Sequence, residues 1–178
     1  MRTPVHLVVL LVAAVLGGCA SYDVKTDYDP AVRFDTLRTY AWADVEPTGN
    51  ARLDREATRQ RIIDAIDEGL ADHGLILVDE DPDLLVDYHA VIDRRLDLRG
   101  DAPYGNHRLP ATTLSTVPTY EVGTLIIHLM DPATDTMVWR GSGQARLEQA
   151  MSDEALEDKV HAVVDAVLKA FPPKGTGL

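Results

Sequence analysis

A hydroxyl, two imidazoles, a run of carboxylates and one thiol are the groups in this sequence with chemistry to offer, and spacing decides what each can do. Gly141-Ser142-Gly143 sets a serine between two glycines. A serine nucleophile needs Gly-x-Ser-x-Gly on a strand-to-helix turn, whereas Gln144 follows here within a strand pattern, so the glycines read as room for a helix packed on a sheet. His89 and His128 lie on two separate strand patterns, and Asp87 and Asp93 share the His89 face. Two imidazoles and two carboxylates are metal-ligand types, but only if those strands pair in a suitable register. Surface or cross-strand histidines are the preferred reading, so no metal is assigned, and His89 and His128 remain the candidates for one. Asp79 to Asp83 alternates carboxylates as a calcium loop begins, yet Leu84 stands where the loop needs Gly and Ala90 where it needs a bidentate Glu. An acidic, solvated turn is expected instead.

The thiol is the more informative group. Cys19 is the one cysteine of the chain, and it closes Leu16-Gly17-Gly18-Cys19 after an apolar stretch from Val5 that only His6 interrupts. Arg2, the apolar stretch and the small residues are the three parts of a secretory signal. The stretch is too short for a membrane-spanning helix, which takes about 20 residues. The Leu-Gly-Gly-Cys run resembles the bacterial lipobox. That resemblance implies cleavage before Cys19, a diacylglyceryl group on its sulfur and an acyl chain on the new amine, with residues 1–18 as signal peptide and 19–178 as a single periplasmic domain. Two or three chains make such an anchor effectively permanent, at about 0.8 kcal/mol per buried methylene. Ala20-Ser21, rather than an Asp, follows the cysteine, and in a Gram-negative cell this implies the outer membrane.

Removing the first 18 of 178 residues leaves 160, enough for one domain with a real core. The formal charge of −12 becomes −13 without Arg2. Such a surface repels phosphate, so nucleic acid is not expected as a partner, and acyl chains rather than head groups are the expected membrane contact. With a single thiol, an internal disulfide is impossible, and Cys19 can be lipidated or disulfide-bonded but not both.

The elements that must position these groups follow from periodicity. Tyr22, Val24, Thr26 and Tyr28 alternate with charged residues as a half-buried strand does, and Thr39 to Trp42 is a second strand. Leu53 to His73 has helical spacing, with Leu53, Ile63, Ile66 and Leu70 on one side and Arg55, Arg59, Asp64 and Asp67 largely away from it. Gly74 stands at the C-cap. Leu75 to Val78 is a short strand, and Leu84 to Leu98 a long one with Leu84, Val86, Tyr88, Ala90 and Ile92 on one face. Val122 to Met130 and Thr136 to Leu147 form a hairpin about Asp131-Pro132-Ala133-Thr134-Asp135, with Met137, Trp139, Ala145 and Leu147 sharing a face. Ser152 caps a last helix, Asp153 to Phe171, ended by Pro172-Pro173. Trp42 and Trp139 are expected in the core, with Arg140 turned to the other face beside an acidic partner.

One-sided strands and two amphipathic helices predict an α+β two-layer sandwich, a mainly antiparallel sheet with both helices on one face. Residues 99–119 carry Gly100, Pro103, Gly105, Pro110 and Pro118 without a period and read as a long loop. Tyr104, His107 and Arg108 on it are the candidate partner or ligand surface.

The chain resembles the bacterial lipoproteins that carry the domain of unknown function numbered 4136. The resemblance rests on the lipobox Cys19, Tyr22 to Pro30, Thr39-Tyr40-Ala41-Trp42, Gly74, Asp83-Leu84-Leu85-Val86 with Tyr88, Gly123-Thr124-Leu125-Ile126-Ile127, Asp131, Val138-Trp139-Arg140-Gly141-Ser142 and Phe171-Pro172-Pro173. It implies a cell-envelope lipoprotein and no established activity. The expectation is therefore a non-enzymatic, membrane-anchored module that binds an envelope protein or supports the envelope, without a cofactor beyond its acyl chains. A carrier or sensor for a lipid or metal is the alternative, and an envelope hydrolase using Ser142 or the histidines is a third.

Overall fold

The computed structural model describes residues 22–96, 119–148 and 151–173. Alternating apolar side chains give strands β1 (Asp23–Tyr28), β2 (Thr39–Trp42), β3 (Ile76–Leu77), β4 (Leu84–Leu96), β5 (Thr119–Asp131) and β6 (Thr136–Leu147), and helical spacing gives α1 (Glu56–Asp72) and α2 (Asp153–Leu168). The strands form one six-stranded sheet in the order β1-β6-β5-β4-β2-β3. β1/β6, β6/β5 and β5/β4 are antiparallel, while β2 runs parallel to β4 and β3. Parallel neighbours need a crossover, and α1 supplies it between β2 and β3. The protein is thus an α+β two-layer sandwich with a mainly antiparallel sheet, as its periodicity predicts.

One face of the sheet is covered. Tyr40, Leu84, Val86, Tyr88, Ala90, Leu125, Ile127, Leu129, Trp139 and Ala145 meet Ile62, Ala65, Ile66 and Leu70 of α1 and Val163, Val164, Val167 and Leu168 of α2 in a single core. Each of the larger side chains contributes about 1.5–3 kcal/mol by leaving water. Small residues set how closely the layers approach. A Cβ on Gly141 would stand 2.5 Å from Val167, and one on Gly143 would stand 2.8 Å from Val167 and 2.9 Å from Val163. On α1, a Cβ at Gly69 would meet Leu168 at 2.5 Å, so the two helices touch there.

Four local expectations are corrected. Leu53 is buried but precedes α1, which begins at Glu56. The Asp54 carboxylate accepts both the backbone N–H and the hydroxyl of Thr48 at 2.8 Å, and this closes the 48–54 loop before the helix starts. Ile62 and Ala65, rather than Ile63, lie beside Ile66 and Leu70 in the core, with Ile63 only half-buried. Met137 is 39% exposed and does not share the Trp139 face, because the β5/β6 register shifts between Leu129 and Met130 and admits one extra residue on β6. α2 ends at Leu168, and Phe171 instead turns into the core to meet Phe34, His73 and Trp139 edge to face.

Asp67 faces inward. Its Oδ1 accepts hydrogen bonds from the Tyr40 hydroxyl at 2.6 Å and the Trp42 indole at 3.0 Å, which ties α1 to β2. A carboxylate serves this layer boundary because two aromatic donors would otherwise be buried without an acceptor. Gly74, at φ +81°, ends α1 as its position predicts, and β3 follows at the sheet edge with Ile76 and Leu77 exposed.

Candidate functional site

Ser142 lies on the open face of β6, opposite Lys25 on β1 and Ile126 on β5. Its hydroxyl donates to the Lys25 carbonyl at 3.5 Å. It sits mid-strand rather than on the strand-to-helix turn of a nucleophile elbow, and among the described residues its hydroxyl bonds a backbone carbonyl and no side-chain base.

The strands bearing the two histidines do pair. His128 stands opposite Asp87, with Nδ1 3.7 Å from Oδ2, while His89 stands opposite Ile126 and is diagonal to His128. Diagonal cross-strand neighbours are about 7–8 Å apart. Among the described residues no group of three or more His, Cys, Asp or Glu side chains is placed to hold a metal. Asp93 is four register positions beyond His89's row, opposite Val122. Asp79 to Asp83 forms a turn whose last carboxylate is committed to backbone: Asp83 Oδ2 accepts from the N–H groups of Arg38 at 2.8 Å and Thr39 at 3.0 Å. Those two bonds hold the Asp83 carboxyl below the usual carboxylate range. Trp139 is fully buried, and Arg140 is exposed between Asp27 and His128 in register, without an ion pair among the described residues. Cys19 and the loop candidates Tyr104, His107 and Arg108 lie outside the described residues.

The concavity with the chemistry of a binding site is elsewhere, at one end of the sandwich. β4, β5 and β6 run past the first turns of both helices, and the space between is an apolar pocket of about 60 Å³. Ile92, Gly123, Leu125, Ala145 and Leu147 form its sheet wall, and Leu53 and Ile62 close it on the α1 side. Leu156, Lys159, Val160 and Val163 of α2 complete it. Gly123 helps to make the space: the nearest atom to a Cβ there would be the tip of Leu147, at 3.1 Å. Periodicity does not reveal the pocket, because its wall is assembled from five elements distant in sequence. Gly123 is the one local sign of it, a glycine inside a strand of otherwise bulky residues.

Charges around this end are arranged unequally. Glu121, two residues before Gly123 and only 16% exposed, is shared by Arg52 at 3.4 Å and Arg94 at 3.5 Å. Arg61 reaches Glu157 at 3.3 Å and Asp153 at 3.8 Å, and Arg146 stacks over the Tyr120 ring at 4.3 Å. Lys159, on the pocket wall, has no ion pair or hydrogen bond among the described residues. Both helices begin here, so their positive dipole ends point the same way. At the opposite end of the sheet lie the acidic turns around Asp79–Asp83 and Asp131–Asp135, together with Asp29. There Asp29 and Asp131 accept N–H groups of Ala31 and Ala133 rather than pairing with cations.

Residues 24–173 match the family model described as "Domain of unknown function (DUF4136)". The chain belongs to the DUF4136 family. No curated protein matches this DUF4136 chain. Among solved structures it is similar to a PDZ domain protein from Parabacteroides distasonis, with TM-score 0.56 and 17% identity over 85% of this chain and 35% of that one. The DUF4136 chain thus spans about a third of that protein, and the likeness is one of fold. It is also similar to the PelC dodecamer protein from Paraburkholderia phytofirmans, with TM-score 0.49 and 9% identity over 83% of this chain and 95% of that one. No helix among the described residues is long and apolar enough to cross a membrane.

Proposed function

We propose that this DUF4136 domain is a non-enzymatic binding module of the bacterial cell envelope, held on the periplasmic face of the outer membrane by acyl chains on Cys19. The observation that carries the proposal is where the fold begins. β1 starts at Asp23, four residues after Cys19, and its first residue pairs with Gln144 near the pocket end of β6. Four residues span at most about 14 Å. An anchor at Cys19 therefore holds the pocket end against the bilayer and sends the acidic turns away from it, a direction that also suits the repulsion between those carboxylates and anionic lipid. The binding role rests on the apolar pocket and on the open sheet face, where Asp27, Arg140, His128 and Asp87 form a polar row.

Crosslinking in intact envelopes tests this role. A reproducible envelope adduct with no turnover by the purified protein is expected. Absence of any partner, together with hydrolysis that disappears when Ser142, His89 and His128 are replaced, contradicts it. A second reading, a carrier of a small apolar ligand, is favoured by the same pocket and predicts a ligand retained through purification.

A further inference from the structure

We infer that the free edge of β3 docks an extended, lysine- or arginine-rich segment of an envelope protein, which adds to the sheet beside Ile76 and Leu77. The two outer strands of the sheet, β1 and β3, are defended differently. β1 sets Asp23, Lys25 and Asp27 at alternate positions, the kind of charged edge that discourages pairing with another chain. β3 carries neither charge nor proline, and Ile76 and Leu77 stand side by side, 63% and 50% exposed. Adjacent exposed aliphatic residues on an open edge are what a partner strand would cover. The backbone is set for it as well. The Ile76 N–H donates to the Arg38 carbonyl and the Val78 N–H to the Tyr40 carbonyl, both at 2.9 Å. Successive strand residues turn their backbone groups to opposite sides, so the N–H and C=O of Leu77 point out of the edge. Among the described residues no strand lies on that side.

Charge names the partner. Asp72 at the end of α1 and Asp79, Glu80 and Asp81 just beyond β3 are exposed, without an ion pair or side-chain hydrogen bond among the described residues. Asp83 differs, being bound by the Arg38 and Thr39 N–H groups. Arg38, the cation beside β2, turns its guanidinium to the Leu37 carbonyl at 2.7 Å. The negative dipole end of α1 lies here too. Four free carboxylates around an apolar edge complement a strand that alternates basic and apolar residues. Main-chain bonds to Leu77 hold such a strand, its apolar side chains cover Ile76 and Leu77, and its cations meet the acids. The ladder is short, so the side chains must supply most of the affinity. β3 lies level with the start of β4, at the acidic end of the sheet, which the anchored orientation turns away from the bilayer and leaves open to a periplasmic partner. The inference rests on the reading of the domain as a binding module and names its partner's chemistry.

The test titrates the full-length protein with the peptide Lys-Val-Lys-Val-Lys-Val-Lys, with its glutamate counterpart, and with the lysine peptide N-methylated throughout, which keeps the charge but cannot donate to a ladder. Binding and amide hydrogen exchange are followed together. The lysine peptide is expected to bind and to slow exchange of the Leu77 N–H, and the other two to do neither. Ile76→Lys should weaken binding about tenfold. Asp79→Asn, Glu80→Gln and Asp81→Asn together should weaken it several-fold and remove most of its salt dependence. These positions are exposed, and asparagine suits the φ of +48° at Asp81, so the variants keep the fold. No binding, equal binding of the glutamate or N-methylated peptide, protection at Val24, Thr26 and Tyr28 of β1 instead, or indifference to the substitutions overturns the inference. Leu77 protection that appears without peptide and grows with protein concentration gives the edge to a second copy and also overturns it. A reproducible envelope crosslink in a protein that ignores the lysine peptide sinks this inference and leaves the binding module standing. Peptide binding at Leu77 without any envelope partner sustains the edge and sinks the module.

Discussion

The Tyr40 hydroxyl donates a 2.6 Å hydrogen bond to Asp67 Oδ1, and the same oxygen receives the Trp42 indole N–H. This one carboxylate joins the crossover helix to the strand that precedes it, so the parallel side of the sheet and the α1 wall of the pocket share a fixing point. Burial first, then the Asp67 hydrogen bond and charge, push the Tyr40 phenol above its ordinary range.

Asp67→Ala is predicted to destabilise the protein by about 2–3 kcal/mol, because it strands two aromatic donors, one of them on a tyrosine only 2% exposed. Urea unfolding checks this. Tyr40→Phe in the Asp67→Ala background should cost less than Tyr40→Phe in the wild type, since the bond is already gone. Additive costs would show that the carboxylate does not act through Tyr40.

The glycines of β6 yield a second prediction. Gly141→Ala and Gly143→Ala each force a Cβ to within 3 Å of valines on α2 and should cost about 1–3 kcal/mol by overpacking. Gly123→Ala meets only the flexible end of Leu147 and should cost under about 1 kcal/mol. Thermal unfolding of the three variants reads the order directly, and a Gly141→Ala protein as stable as wild type would contradict the close approach of α2.

Acidity provides a third. Asp83 is held low by the Arg38 and Thr39 N–H groups, and Asp54 by the Thr48 N–H. A carboxylate whose folded pKa is depressed contributes stability that is present above its unfolded value, about 3.9, and is lost as pH falls through the folded value. Stability should therefore decline on acidification below about pH 4. Asp83→Asn should flatten that decline, as judged from urea midpoints between pH 7 and pH 2.5. An unchanged acid limb in Asp83→Asn would remove Asp83 as a contributor.

Much of the fold was legible because the local signals agreed. The Asp131-to-Asp135 turn between two alternating stretches specifies the β5/β6 hairpin, Gly74 marks the end of α1, and Ser152 with two acidic residues marks the start of α2, where its hydroxyl accepts the Ala155 N–H at 3.2 Å. What periodicity does not carry is partnership across the chain. β1 pairs with β6, more than a hundred residues away, and β2 inserts beside β4 in parallel, and neither follows from spacing. Asp67 reads as a solvent residue on a helix wheel, since only the tertiary fold brings Tyr40 and Trp42 to it. The bulge that turns Met137 outward is likewise a property of the pair of strands. The pocket was illegible for the same reason: five elements build its wall, and only the gap at Gly123 is local.

The anchored reading stands or falls with Cys19. Intact-mass analysis with membrane fractionation, wild type beside Cys19→Ser, is the direct measurement. A mass for residues 19–178 plus a diacylglyceryl group and one acyl chain, recovered in the outer membrane and lost from it in the variant, is the predicted result. An uncleaved chain, or a soluble one without acyl mass, contradicts it and leaves a free-standing domain with an apolar pocket.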